Sequence, residues 1–270
     1  MIQRRHFLAA GAAALTRPAL AGQEEPPAGT LQVLTYHRFE SRENPPGTVV
    51  SPRLFAEQMD WLAASPIKVL TLRDSLSLAA GAAMATPAVA ITADDGWRSV
   101  YTEMFPVVRR HNMPATLFLN PPMIGHGGAY LTWEMVAELK ASGLFDIQAH
   151  TLSHPNFNEE RRKRAPENYA AFVRHELAEC RSMLAERVGA AVDLLAWPFG
   201  IHNPALEQAA ADAGYAASFA LGSKPVIAGS PMQALPRSQI YETDGVARFA
   251  WMAQGHARKQ ETNSMGSTHS

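Results

Sequence analysis

A single-domain α/β barrel of parallel strands is the fold class this sequence predicts. Three observations predict it. Short apolar runs alternate with amphipathic stretches along most of the 270 residues. Such alternation of strand and helix is the signature of a parallel sheet covered by helices. Two polar clusters, Asp94-Asp95-Gly96 and His150-Thr151-Leu152-Ser153-His154, each follow an apolar run directly. No Gly-x-Gly-x-x-Gly follows the first run, so dinucleotide binding has no support. A closed or distorted barrel is the leading form at this length, and an open doubly wound sheet is the alternative.

The strand expectations rest on run length and on β-branched and aromatic content. They cover residues 31–36, 67–70, 88–93, 115–119, 145–149, 193–197, 216–221 and 233–240. The helix expectations rest on a period of 3.6 and on end signals. They cover residues 52–64, 73–80, 97–111, 132–142, 166–188, 203–213 and 245–253. In the third helix Val100, Tyr101, Met104, Phe105 and Val108 share one face, and Pro106 should kink or split it. Thr132 is a good N-cap and Gly143 a good stop. Asn203-Pro204 reads as N-cap followed by first helical position. The charge run Glu159–Arg164 reads as a solvated face or loop.

The chain divides into four parts. Residues 1–21 combine Arg4 and Arg5 with an Ala-rich apolar run ending in Ala19-Leu20-Ala21, which reads as a signal peptide of twin-arginine type. Residues 22–30 are a linker, residues 31–253 the folded domain and residues 254–270 a polar tail. The expected location is therefore the periplasm or the extracellular space, with no membrane span in the mature form. The one cysteine, Cys180, allows no internal disulfide and reads as a buried, inert thiol.

Composition narrows the partners. Hydrophobic residues make up 47% and charged residues 18%, an ordinary globular balance. A net charge of −1 leaves no electrostatic footprint for nucleic acid or an anionic membrane, and a neutral polymer fits better. Nothing in the sequence specifies an oligomeric state.

The two polar clusters carry the chemistry. In a parallel barrel the carboxyl ends of the strands converge on one face, where active sites lie. Two imidazoles and one carboxylate with open positions suit a catalytic divalent metal. Taken alone, Asp-Asp-Gly is a turn or a cap for the helix near Trp97. His-x-x-x-His brings two rings to one face of a helical turn. Thr151 stands where a zinc-protease helix needs Glu, and Pro155 stops a long helix, so that family is excluded. Adjacent aspartates cannot point the same way along an extended chain. One can therefore bind the metal while the other serves as base.

These motifs resemble those of the polysaccharide deacetylases with the NodB homology domain, carbohydrate esterase family 4. Thr92-Ala93-Asp94-Asp95-Gly96 looks like the family's first motif and His150–His154 like its second. Ala196-Trp197-Pro198-Phe199-Gly200 stands where the third belongs, and residues 113–119, 131–134 and 213–215 also look like family text. The resemblance runs from about Val33 to Ile240. It implies a deformed (β/α) barrel of NodB type and hydrolysis of N-acetyl groups on an N-acetylglucosamine polysaccharide. It implies Asp94 as general base, with Asp95, His150 and His154 holding one divalent ion. Zinc is expected, and cobalt, nickel or iron suit the same donors. The Phe199 N–H would hold the oxyanion, and Trp197, Pro198, Phe199 and Gly200 would line the substrate cleft.

Two departures shape the rest of the expectation. Ala196 replaces the third motif's Arg, and no late Leu-x-His-Asp motif supplies the acid. Tyr36-His37 at the first strand's end and Leu235-Pro236-Arg237 in a late one are similar to the poly-β-1,6-N-acetylglucosamine deacetylase subgroup. That layout implies His37 as general acid and Arg237 as the replacement Arg. Two alternatives stay open: a carbohydrate-binding protein that has lost activity, and a hydrolase of another acyl or amide substrate. Trp133, His202 and His256 are weaker candidates.

Overall fold

The computed structural model describes residues 29–257. The expected signal peptide, nearly all of the linker and most of the polar tail lie outside the described residues. Eight strands of the main sheet run parallel: β1 (Leu31–Tyr36), β4 (Lys68–Leu70), β5 (Ala88–Asp94), β6 (Ala115–Leu119), β7 (Phe145–Ala149), β8 (Leu194–Ala196), β9 (Ala217–Leu221) and β10 (Leu235–Gln239). Two short strands, β2 (Arg38–Phe39) and β3 (Val49–Val50), pair separately.

Pairing of β1 with both β10 and β5 closes seven of these strands into a ring. This decides between the two expected forms in favour of the barrel. Strand β4 pairs with residues 88–90 of β5, and β6 takes over from Ile91, so the two share one edge of β5. The β7–β8 seam is thin, with Ala149 opposite Leu195 as its one paired position. The Gln148 amide bridges it, its oxygen accepting the N–H groups of Asp193 (3.0 Å) and Leu194 (2.9 Å).

Strands buried on both faces read as continuous apolar runs, and every residue of β1 and β5 is buried. Their period of two sorts side chains into two layers. Leu31, Val33, Ala88, Ala90, Phe118, Leu194, Ala196, Phe219 and Leu235 fill the barrel interior. Leu72, Leu78 and Ala79 of α2 (Leu72–Ala79) close its amino-terminal end. The intervening residues, among them Leu34, Ile91, Leu117, Ile147, Leu195 and Trp197, face the surrounding helices. Those are α1 (Pro52–Ala64), α3 (Phe105–His111), α4 (Trp133–Ala141), α5 (Phe157–Lys163), α6 (Pro166–Val188), α7 (Pro204–Asp212) and α8 (Gly245–Ala253).

The helix ends follow their sequence signals. Thr132 accepts from the Met135 N–H, and Asn203 from those of Ala205 and Leu206. The stretch 97–111 splits as Pro106 requires. A π-helical turn over Val100–Met104, closed by the Phe105 N–H on the Val100 carbonyl, leads into α3. Proline has no N–H to donate four residues back, so the turn before it widens. The charge run at 159–164 is a solvated face rather than a loop, forming most of α5 and its C-cap. Asn156 caps that helix through the Glu159 N–H, and buried Phe157 anchors it.

Replacing Gln148 by Leu would leave two backbone donors without their acceptor at the thinnest seam. The expected loss is about 2 kcal/mol of stability, read from urea unfolding, with the unfolding slope unchanged.

Candidate active site

The same period of two builds the site. On each strand the inward set continues to the carboxyl end: His37 follows β1, Asp94 ends β5, His150 follows β7, and Arg237 and Gln239 lie on β10. These residues, with Asp95, His154, Thr48, Trp197, Phe199, Gly200 and Leu221, line one cleft of about 330 Å³.

Asp94 and Arg237 form a two-pronged ion pair at its floor. The guanidinium donates from its two terminal nitrogens to Oδ1 and Oδ2, both at 2.8 Å. Asp94 is 2% exposed and Arg237 1%. Thr92 also accepts from the guanidinium, at 3.3 Å, and the Phe118 ring lies beneath it at 5.1 Å. Burial alone would raise the Asp94 pKa. The charges of Arg237 and His150 outweigh burial and hold the carboxyl below its ordinary value.

The backbone turns left-handed at Asp95, with φ 71°. That turn swings its carboxylate away from Asp94 and towards the two imidazoles. Asp95 Oδ1 lies 3.5 Å from His150 Nε2 and 3.6 Å from His154 Nε2. One ligand atom from each residue falls within 4.8 Å of the others. Two donors about 2.1 Å from a tetrahedral ion sit about 3.4 Å apart, so this donor set fits a divalent metal. His150 Nδ1 donates to the Ala196 carbonyl at 2.8 Å, which leaves Nε2 as the ligand atom. The indole N–H of Trp97 donates to Asp95 Oδ2 at 3.1 Å.

The loop between the histidines is not the helical turn their spacing suggested. Thr151 and His154 are both left-handed, with φ of 65° and 54°. The rings nevertheless meet, with centroids 4.8 Å apart. Side chains from elsewhere hold the loop. Asn120 donates its amide to the carbonyls of His150 and Thr151, and Glu176 of α6 accepts the N–H (2.8 Å) and O–H (2.6 Å) of Ser153. Asn120 and Glu176 were missed in the sequence. The available signals were an inward position just after β6, and a carboxylate on the buried Val173–Leu177–Cys180 face of α6.

His37 stands opposite, its Nε2 3.9 Å from Asp94 Oδ2. Burial lowers its pKa more than the nearby carboxylates raise it. His154 is pushed down to about 4 by burial and by the charge of His150. For His150 burial also acts downwards, but Asp94 and Asp95 prevail and hold the pKa above its ordinary value. Asp95 is held low, because its bond and attraction to His150 outweigh burial.

The third-motif segment meets the cleft unevenly. Trp197 borders the cleft, although it is fully buried. It has the outward parity of β8, packs edge-on against Phe157 at 5.9 Å and donates its indole N–H to Ser218 at 2.8 Å. Pro198 is buried too, whereas Phe199, 59% exposed, stands beside His154 at 4.7 Å. Gly200 is required where it sits: its φ is 68°, and a Cβ there would come within 2.7 Å of Leu221. Trp133 lies under Arg187, His202 pairs with Glu207, and His256 stacks on Trp251, all outside this cleft. Cys180 is buried and its thiol pKa is raised by that burial.

A family model described as polysaccharide deacetylase matches residues 82–218, just over half of the chain. The chain belongs to that family. Polysaccharide deacetylases are hydrolases of carbon–nitrogen bonds other than peptide bonds. The Bacillus subtilis (strain 168) protein YxkH is 27% identical over 186 residues, 68% of this chain and 62% of YxkH. The chain thus spans about three-fifths of that relative. A poly-β-1,6-N-acetyl-D-glucosamine N-deacetylase of Staphylococcus aureus (strain COL) is 23% identical over 228 residues, 83% of this chain and 78% of that protein. The solved structure of IcaB from Ammonifex degensii superposes with a TM-score of 0.73 at 25% identity, covering 84% of this chain and 97% of that one. The fold of this family member is accordingly the NodB-type (β/α) barrel. No described helix is long and apolar enough to cross a membrane.

The charges set two pH dependences. Asp94 is depressed in the folded state, so its ion pair contributes fully above the unfolded carboxyl pKa of about 3.9 and is lost as pH falls through the folded value. Asp94→Asn should therefore cost about 3 kcal/mol near neutrality, and the gap to wild type should close in acid, as read by chemical unfolding at several pH values. Metal binding requires neutral imidazoles. His150 keeps its proton to higher pH than an ordinary histidine, whereas His154 has already lost its own. Calorimetric titration of zinc in buffers of different ionisation enthalpy should show about one imidazole proton released near pH 6.

Proposed function

We propose that this polysaccharide deacetylase removes N-acetyl groups from a polysaccharide containing N-acetylglucosamine, releasing acetate and leaving a free amine. The β-1,6-linked polymer is the favoured substrate. The observation that carries the reading is the buried, two-pronged Asp94–Arg237 pair beside the Asp95–His150–His154 donors. An ionised base next to a candidate metal site is what amide hydrolysis requires.

A divalent ion held by Asp95, His150 and His154, zinc being the expected one, would polarise the acetamide carbonyl and make water more acidic. Asp94 is the base. Arg237 occupies one lone pair on each of its oxygens, and a carboxylate oxygen has a second lone pair to accept the proton of the attacking water. Arg237 thereby does the orienting that an Arg at position 196 would do. His37 is assigned to the leaving nitrogen, and the proton taken up by Asp94 has 3.9 Å to travel to reach it. The Phe199 N–H is assigned to the oxyanion. The carbonyl carbon gains an oxygen from water, the C–N bond breaks, and that proton ends on the amine.

Two supports favour the β-1,6-linked polymer: the name of the Staphylococcus aureus relative, and the placement of Tyr36-His37 at the end of β1. The reading of a binding protein without activity drew on Ala93 in the first motif and Ala196 in the third. It weakens because Arg237 brings a guanidinium to the same carboxylate. We also infer export through the segment 1–21, which would bring the enzyme to such a polymer outside the cytoplasm.

Acetate release from a β-1,6-N-acetylglucosamine oligomer and from a chitooligomer tests the reading. Wild type should bind about one metal ion and release acetate, preferring the β-1,6 oligomer. Asp95→Ala should lose both metal and activity. His37→Ala should keep the metal and lose about 10²–10⁴-fold in kcat. Metal bound by wild type with no acetate from either oligomer would move another acyl substrate ahead.

A further inference from the structure

The Asp95 carboxylate has two chemically equivalent oxygens but two different surroundings. Oδ1 faces both histidine Nε2 atoms, whereas Oδ2 accepts the Trp97 indole N–H at 3.1 Å. Indole is a donor only, so this contact has one polarity. The bond matters because the left-handed turn at Asp95 fixes the backbone without fixing rotation of the carboxylate about its own axis.

The indole is itself held rigidly. Tyr130 stacks on it with centroids 4.7 Å apart and planes 18° apart. The Arg38 guanidinium lies over the ring at 5.0 Å and is paired with Glu40. Two backbone bonds strap the Tyr130 segment to the turn, Arg98 N–H to the Ala129 carbonyl (2.8 Å) and Leu131 N–H to the Gly96 carbonyl (2.9 Å). Gly96 is packed closely there, since a Cβ would come within 2.7 Å of Ile124. A half-buried indole covered by Tyr130 and Arg38 is poorly placed to stack on a sugar, but well placed to aim its N–H.

We propose that Trp97 is the positioning residue of the metal centre, its indole N–H holding Asp95 Oδ2 towards the indole so that the carboxylate is turned to ligate through Oδ1 alone. Single-oxygen ligation leaves coordination positions open for water and for the acetyl carbonyl. Ligation through both oxygens would fill one of them. The inference rests on the metal reading of Asp95, His150 and His154. Partners that orient ligands in this way commonly change metal affinity by about 10–100-fold.

The test uses Trp97→Phe, which keeps an aromatic ring for Tyr130 and Arg38 and removes the N–H. Zinc affinity is measured by chelator competition, and the visible absorption of the cobalt-loaded protein is recorded. Trp97→Phe should bind zinc about 10–100-fold more weakly. Its cobalt bands should weaken as the second oxygen raises the coordination number. Tyr130→Leu, which disturbs the packing but retains the donor, should shift the cobalt spectrum less. Equal zinc affinity and an unchanged spectrum in Trp97→Phe overturn the proposal while leaving the metal site intact. No zinc binding by wild type overturns both. Nitrogen-15 spectra of wild type supply a reading that needs no folded variant. The Trp97 indole N–H resonance should exchange slowly with solvent and move on zinc addition, and a rapidly exchanging, unmoved resonance overturns the proposal.

Discussion

Closure of seven parallel strands into a ring is the constraint on which the rest of the structure depends. With the ring closed and the apolar face of α2 across its amino-terminal end, the inward side chains open onto a cleft at the carboxyl end. The period of two then selects alternate residues of each strand for that interior. Lower positions are filled by Leu31, Val33, Ala88, Ala90, Leu194 and Phe219, and polar groups are concentrated where the strands stop. His37, Asp94, His150 and Arg237 come from four strands far apart in sequence, yet share one cleft because they share parity and level.

Burying charge there has a cost that the site offsets locally. A carboxylate and a guanidinium removed from water each lose several kcal/mol of hydration. Asp94 and Arg237 recover it through two parallel charged hydrogen bonds, supplemented by Thr92 and the face of Phe118. The result is a carboxylate that stays ionised in a nearly dry setting, which the base role proposed for it needs. Asp95, one residue on, leaves the strand through a left-handed turn and meets different partners. Two adjacent carboxylates thus acquire separate partners from backbone geometry.

The left-handed residues Asp95, Thr151, His154 and Phe199 all border the site. Such conformations are uncommon for residues other than glycine and persist where surrounding structure over-determines them. Asn120 and Glu176 supply that support around His150 and His154, and the Trp97–Tyr130 stack supplies it beside Asp95.

Much of this was legible in the sequence. The run of apolar strands gave the parallel sheet, and the positions of Asp94, Asp95, His150 and His154 directly after two of those strands marked the site. Arg237 was legible through its place in a late strand, although nothing local tied it to Asp94. Trp197 borders the cleft yet is fully buried, and neighbourhood in a motif does not reveal why: with Leu194 and Ala196 inward, its ring faces the helices. The short α5 escaped because one capped turn of charged residues carries little periodic signal. What the sequence determined by itself were local quantities, namely strand content, caps, and which side chains end each strand. The tertiary structure decided whether the sheet closed, which carboxylate met which cation, and which distant donors held the loop. Those depend on contacts far apart in the chain, such as the Leu34–Ser238 pairing across 204 positions that closes the ring, which no local pattern encodes.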